Sequence, residues 1–97
     1  MNNVSICGAD IGNITSIFLG DKSNDALIVE SRIEKYSIIK ELGDNEIFET
    51  DDKWIVNQGE FKNEHLKFEK DNFFDLLYYG LAKVSKYNRI KLVLGIP

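Results

Sequence analysis

Ninety-seven residues are enough for one small domain with one modest core, or for part of a larger one. An apolar fraction of 43% and a charged fraction of 29% describe a soluble globular protein. The net charge is −4 and no block of Lys or Arg occurs, so there is no electrostatic footprint for direct contact with nucleic acid or an anionic membrane.

Cys7 is the single cysteine, which rules out an internal disulfide, and its place in an apolar run reads as a buried, inert thiol. His65 is also single, with no His or Cys near it at zinc-ligand spacing. The N-terminus lacks the basic and apolar regions of a signal peptide, and no apolar run reaches membrane-spanning length. The expected location is cytoplasmic.

In chain order, Val4–Leu19 (VSICGADIGNITSIFL) reads as an apolar strand, a tight turn carrying Asp10 and Gly12, and a returning strand. Gly12 allows the backbone to bend close to whatever lies over the turn. Successive N–H groups in such a turn can form an anion-binding concavity, and a carboxylate beside it can hold a metal's water shell. The same residues serve an ordinary hairpin equally well, and taken alone they favour that plainer reading. Gly20–Asp25 (GDKSND) is a turn by composition. Ala26–Tyr36 is expected to be a third strand antiparallel to the second, with Leu27, Val29, Ile33 and Tyr36 as inward candidates. Lys35–Lys40 either extends it or begins an excursion.

Glu46–Thr50, a turn at Asp51–Lys53, and Trp54–Val56 form a short hairpin closed by Asn57-Gln58-Gly59, with Trp54 as a packing residue. Asn63–Lys70 is polar and reads as an exposed connection. Asp71–Tyr87 is the clearest helix, capped by Asp71 or Asn72, with Asp75 in the first turn and Lys83 and Lys86 in the last turns. Its apolar stripe is Phe73 or Phe74, Leu77, Leu81 and Val84, with Tyr78 and Tyr79 at the edges. Gly80 inside the helix costs about 1 kcal/mol against Ala, so a close backbone approach is its expected reason. Asn88 ends the helix, and Ile90–Leu94 is a buried-strand run reached by a right-handed crossover, parallel to the first strand.

The expected sheet order is third–second–first–fourth with the helix on one face. A sheet with parallel strands normally has both faces covered, and one helix covers one. The expectation is therefore a first part of a longer protein, or a partner over the open face.

In this order the segments resemble the N-terminal, ribonuclease-H-like domain of the actin-like ATPases, within the actin, heat-shock chaperone and sugar-kinase superfamily. The nearest resemblance is to the plasmid-segregation branch, the ParM or StbA type with its archaeal and phage relatives. Asp10-Ile11-Gly12 resembles the first phosphate motif, Asp-x-Gly followed by small polar residues. Lys53-Trp54-Ile55-Val56 with Gly59 is similar to the family's "aromatic, apolar, Val, then Gly" strand, Asn72–Lys83 to the helix that follows, and Lys91–Pro97 to the strand ending in Gly-Leu-Pro. The resemblance spans almost the whole chain in order, although each piece is weak alone.

The fold this implies is α/β: a mixed sheet of three antiparallel strands, then a helix and a parallel strand, as the incomplete N-terminal part of an actin-like domain. About residues 37–63 would be a small lateral subdomain and a filament contact. The resemblance implies that Asp10 orders Mg²⁺ through water. It also implies that Gly12, Asn13 and Ile14 offer backbone N–H groups to the β- and γ-phosphates of ATP or GTP, with the Asn13 or Thr15 side chain assisting. The implied function is a filament-forming ATPase that segregates plasmid or phage DNA through an adaptor protein, self-associating and independent of membranes.

Two departures stand out. Actin and several plasmid relatives carry a phosphate-reaching lysine seven residues after the Asp, where this chain has Ile17. The second phosphate loop, the adenosine motif and the residue that positions the attacking water would lie beyond Pro97, so no catalytic residue is assigned. The 97 residues alone are expected not to hydrolyse ATP efficiently. Two other readings remain open: a kinase or chaperone-like ATPase with the same opening hairpin, and a non-enzymatic interaction module with a structural turn.

Overall fold

The computed structural model describes residues 3–37, 45–59 and 73–95. Its elements, in order, are β1 (Val4–Ile11), β2 (Thr15–Leu19), β3 (Leu27–Glu30), β4 (Ile33–Lys35), β5 (Ile47–Glu49), β6 (Lys53–Val56), α1 (Phe73–Val84) and β7 (Arg89–Leu94). The fold is a mixed α/β arrangement, with a four-stranded sheet ordered β3-β2-β1-β7 and a three-stranded sheet ordered β4-β6-β5. In the first sheet β1–β2 and β2–β3 are antiparallel and β1–β7 is parallel, as the hairpin and crossover readings anticipate.

Strand alternation decides which side faces the core. Ser5, Cys7, Ala9 and Ile11 of β1 point to one face with Ser16 and Phe18 of β2 and Val29 of β3, and all are buried. The core-facing stripe of α1 is built from Phe73, Leu76, Leu77, Tyr79, Gly80 and Val84. Phe73, not Phe74, is the inward member of its pair, and Tyr79, not Tyr78, is buried. Gly80 has the steric reason anticipated for it: a Cβ there would lie 2.2 Å from the Phe18 ring. The helix ends at Val84, so Lys86 lies beyond its last turn. The proposed caps Asp71 and Asn72, and the connection Asn63–Lys70, fall outside the described residues, as does His65.

The third expected strand is two strands in two sheets. At Ser31–Arg32 the chain bends: the Ser31 N–H donates to the Ile14 carbonyl at 2.7 Å, and the Ser16 and Ser31 hydroxyls share a buried hydrogen bond of 2.6 Å. Leu27–Glu30 therefore stays with β2, whereas Ile33–Lys35 crosses to pair with β6. Leu27, Val29 and Ile33 keep one inward phase across the bend, interrupted only by Ser31, which is why the sequence reads as one strand. Asn57, in the left-handed region at φ 60, accepts the Glu30 N–H through its side chain at 2.8 Å and ties the end of β6 to the same bend.

The β5–β6 hairpin forms as read, and Trp54 is a packing residue whose indole N–H donates to Thr50 at 3.0 Å. The Thr50 hydroxyl in turn donates to Asp75 of α1 at 2.5 Å. Phe48 stacks on Tyr79 with ring centroids 4.9 Å apart, joining the small sheet to the helix. The tyrosine hydroxyl donates to Glu46, which also pairs with Lys83.

The opposite face of the four-stranded sheet carries no covering element among the described residues. Val4, Ile6, Ile17, Leu19, Ile28 and Val93 are exposed there. No described helix is long and apolar enough to cross a membrane.

Candidate functional site

The β1–β2 hairpin is built so that its tip is fixed from behind and open in front. β1 continues through Asp10 to Ile11, whose side chain is buried, and the turn comprises Gly12, Asn13 and Ile14 before β2 starts at Thr15. The Gly12 N–H donates to the Thr15 carbonyl at 3.1 Å, closing the turn. A Cβ at position 12 would stand 2.8 Å from that carbonyl oxygen, so the turn requires a residue without a side chain. The Ser31 N–H holds the Ile14 carbonyl, and the buried Ser16–Ser31 pair locks the layer beneath it.

Asn13, Ile14 and Thr15 are exposed, Ile14 at 67%. Asp10 is exposed on the open face of the sheet, paired across the ladder with Ile17. The position at which the resembling proteins carry a lysine is thus directly beside the carboxylate, filled here by an apolar side chain. Glu30 lies opposite Thr15 and is neutralised by Arg32, whose Nη2 is 2.9 Å from its Oε2.

The five residues singled out from the sequence therefore lie on one hairpin, with Gly12, Asn13 and Ile14 in its turn, Asp10 in β1 and Thr15 at the start of β2. One further neighbour comes from the far end of the chain. The Gly95 N–H donates to the Ala9 carbonyl at 2.7 Å, continuing the parallel β1–β7 ladder. This places Gly95 against the Asp10 side chain, where a Cβ would lie 3.1 Å from Asp10 Cγ and 3.2 Å from Oδ1. The usable signal was a glycine directly after an apolar strand predicted to run parallel to β1, since that register brings residue 95 level with residue 10.

Chemically, this is one carboxylate at a strand end, with side-chain-free backbone at residues 12 and 95 beside it and an exposed turn beyond. Among the described residues no three His, Cys, Asp or Glu side chains converge to bind a metal directly. A separate groove of about 460 Å³ lies between α1 and β7, lined by Phe74, Leu77, Tyr78, Leu81 and Ile90. It is on the helix side of the sheet, away from Asp10.

No protein-family model matches this sequence, and no curated protein matches it. Among solved structures, the chain is similar to one described as "Alp12 filament structure", with a TM-score of 0.63 and 16% sequence identity. The likeness covers 99% of this chain and 34% of that one, so the chain spans about a third of the length of the structure it matches. At that identity the shared property is the fold.

Proposed function

We propose that residues 10–15 are the first phosphate-contacting hairpin of an actin-like, nucleotide-dependent filament protein of the plasmid- or phage-segregation type, with ParM or StbA as the finer assignment. The observation that carries this reading is the exposed Asp10 carboxylate flanked by Gly12 and Gly95, where a Cβ would press on the Thr15 carbonyl or on Asp10 itself. The fold shared with the Alp12 filament structure supports the filament part.

The donor set fits a magnesium nucleotide. Asp10 would hold Mg²⁺ through its water shell, since the described residues offer no multi-carboxylate cage. The Asn13 and Ile14 amides, with the Asn13 and Thr15 side chains, would contact phosphate oxygens, while the Gly12 N–H serves mainly to close the turn. Bound Mg²⁺ would supply neutralising charge at the β- and γ-phosphates of ATP or GTP. About residues 37–63, of which 38–44 and 60–63 lie outside the described residues and 47–56 hold β5 and β6, would be the lateral subdomain and filament contact. With a net charge of −4, DNA would be reached through an adaptor protein, in the cytoplasm and without a membrane.

The test is an amide chemical-shift titration of the ¹⁵N-labelled chain with Mg-ATP and Mg-GTP. Weak, fast-exchange shifts confined to residues 10–15 and 95, abolished by Asp10→Ala or by chelating the metal, are expected. Undiminished shifts in Asp10→Ala would overturn the assignment. Nucleotide-dependent light scattering, on the polypeptide at the length the cell makes, tests the filament reading.

A further inference from the structure

The sheet face around the candidate turn carries two carboxylates. Strand alternation puts Asp10 of β1, Thr15 and Ile17 of β2 and Glu30 of β3 on that face. Asp10 is level with Ile17, and Thr15 with Glu30. A phosphate brought to the Asn13 and Ile14 amides would therefore meet negative charge on both sides, and Ile17 supplies nothing to offset it.

The compensating cation comes from the bend after β3. The Ser31 N–H, one residue before Arg32, donates to the Ile14 carbonyl at 2.7 Å, which brings the Arg32 backbone up to the turn. The side chain folds back toward Thr15: Nε and Nη2 donate to Glu30 Oε2 at 3.2 and 2.9 Å, and Nη1 donates to the Gly59 carbonyl at 3.2 Å. The other cations of this face among the described residues, Arg89 and Lys91, are level with Val4 and Ile6. Lys91 thus lies four residues, or roughly 13 Å, back along β1 from Asp10. Lys35 and Lys53 are engaged by Asp52 and Glu49 of the small sheet.

We propose that Arg32 is the phosphate-binding cation of this hairpin, with Glu30 holding its guanidinium at the turn until a nucleotide arrives. The inference rests on the reading of residues 10–15 as a phosphate site. The guanidinium edge that faces the Glu30 carboxylate is the edge that binds a phosphate, since the same fork of donors fits either group. The Arg32 and Glu30 side chains are 30% and 46% exposed, so their pair is solvated and weakly held. A triphosphate carries more negative charge than one carboxylate and displaces it. The Nη1 bond to Gly59 keeps the side chain close during the exchange. Arg32 and the Mg²⁺ ordered by Asp10 then neutralise the phosphates from opposite sides of the turn.

The test is Mg-ATP affinity, read from the amide-shift titration of the 97-residue chain in four forms: parent, Arg32→Gln, Glu30→Gln and the double variant. Arg32→Gln is expected to weaken binding about fivefold or more, the loss of one charge-assisted contact. Glu30→Gln removes the competing carboxylate and should tighten binding. With Gln already at position 30, Arg32→Gln should cost at least as much affinity as it does alone. A loss that vanishes in that background would mean that Arg32 only neutralises Glu30, and the proposal fails. It fails equally if Arg32→Gln binds as the parent does. Protection of the Ser31 amide from exchange reports whether the bend survives in Arg32→Gln. Where that protection is lost, Glu30→Gln decides, since it leaves Arg32 in place, and unchanged or weaker binding there overturns the proposal. Shifts that require Asp10 and not Arg32 overturn this inference alone, whereas a parent chain without nucleotide shifts overturns the hairpin reading with it.

Discussion

The Gly95 backbone lies directly against the Asp10 carboxylate, with a Cβ at residue 95 only 3.1 Å from Asp10 Cγ, although 85 positions separate the two in sequence. The contact is with a side chain, not with backbone, so it can yield by rotation of Asp10. Gly95→Ala should therefore alter the unfolding free energy by less than about 1 kcal/mol. It should nonetheless turn the carboxylate away from the turn and remove the Mg-ATP-induced shifts at residues 12–15. Wild-type shifts in this variant would show that Gly95 does not set the position of Asp10.

Gly80→Ala tests the opposite case, in which the clashing neighbour cannot move. Helix propensity alone favours Ala by about 1 kcal/mol. The new methyl would lie 2.2 Å from the ring of Phe18, which is fully buried, so overpacking should outweigh propensity and leave the variant about 1–3 kcal/mol less stable. Urea unfolding measures the sign. Adding Phe18→Leu should recover part of the loss in a double-mutant cycle, because it opens space at that point.

Much of this fold was legible in local pattern. The opening hairpin, the helix, the β5–β6 hairpin and the parallel return of β7 follow from strand alternation, helical spacing and turn chemistry, and these set the sheet order. The glycine at position 80 announced a close approach, and the ring that approaches it is that of Phe18. The split of Ala26–Tyr36 was not legible, because it shows only in long-range partners: Ser31 stays tied to Ile14 and Ser16 of the opening hairpin, whereas Ile33–Lys35 pairs with β6, and sequence alternation encodes neither. The same holds for Gly95 at the candidate site. Its role depends on the β1–β7 register, and a register is a property of two distant strands together.

A second long-range relationship fixes the start of β3's approach. The Lys22 N–H donates to the Val84 carbonyl at 3.0 Å, and Asp21 accepts the Lys86 N–H at 2.8 Å. The Ser5 hydroxyl accepts the Lys86 and Tyr87 N–H groups at 3.1 and 2.8 Å. Gly20 is pressed against this junction, with a Cβ 2.2 Å from the Val84 carbonyl oxygen. Since backbone is the obstacle, Gly20→Ala should cost about 2 kcal/mol or more, exceeding Asp21→Ala, which removes an exposed carboxylate that accepts the Lys86 N–H. Thermal unfolding of the two variants decides; a larger loss in Asp21→Ala would place the strength of the junction in the carboxylate.

Among the described residues, the pH dependence of stability should be set by two carboxylates on the acid side and, on the alkaline side, by the Tyr79 phenol together with the Cys7 thiol, which burial pushes above its ordinary value of 9.0. The Lys83 ammonium beside Glu46, with a smaller contribution from the Tyr79 hydroxyl, holds the Glu46 carboxyl below its ordinary value of 4.5. The Lys86 N–H likewise holds Asp21 below 3.8. A carboxylate whose folded pKa is lowered contributes stability that is complete above the unfolded value and lost as the pH falls through the folded one, so the Glu46 contribution fades below pH 4.5 and that of Asp21 only below 3.8. Tyr79 runs the other way: burial first, then its hydrogen bond to Glu46, pushes it from 10 up to about 12. Its contribution is complete below pH 10 and lost as the pH rises toward 12. Tyr79→Phe should shrink the alkaline limb of the melting-temperature profile, leaving the part due to the buried Cys7 thiol. It should leave most of the acid limb in place, because Lys83 is the larger influence on Glu46. Glu46→Gln should shrink the acid limb and lower the tyrosinate transition only part of the way to 10, because burial outweighs the carboxylate at Tyr79. Ultraviolet titration of the tyrosines checks this; a full return to 10 in Glu46→Gln would mean that the carboxylate, not burial, governs Tyr79.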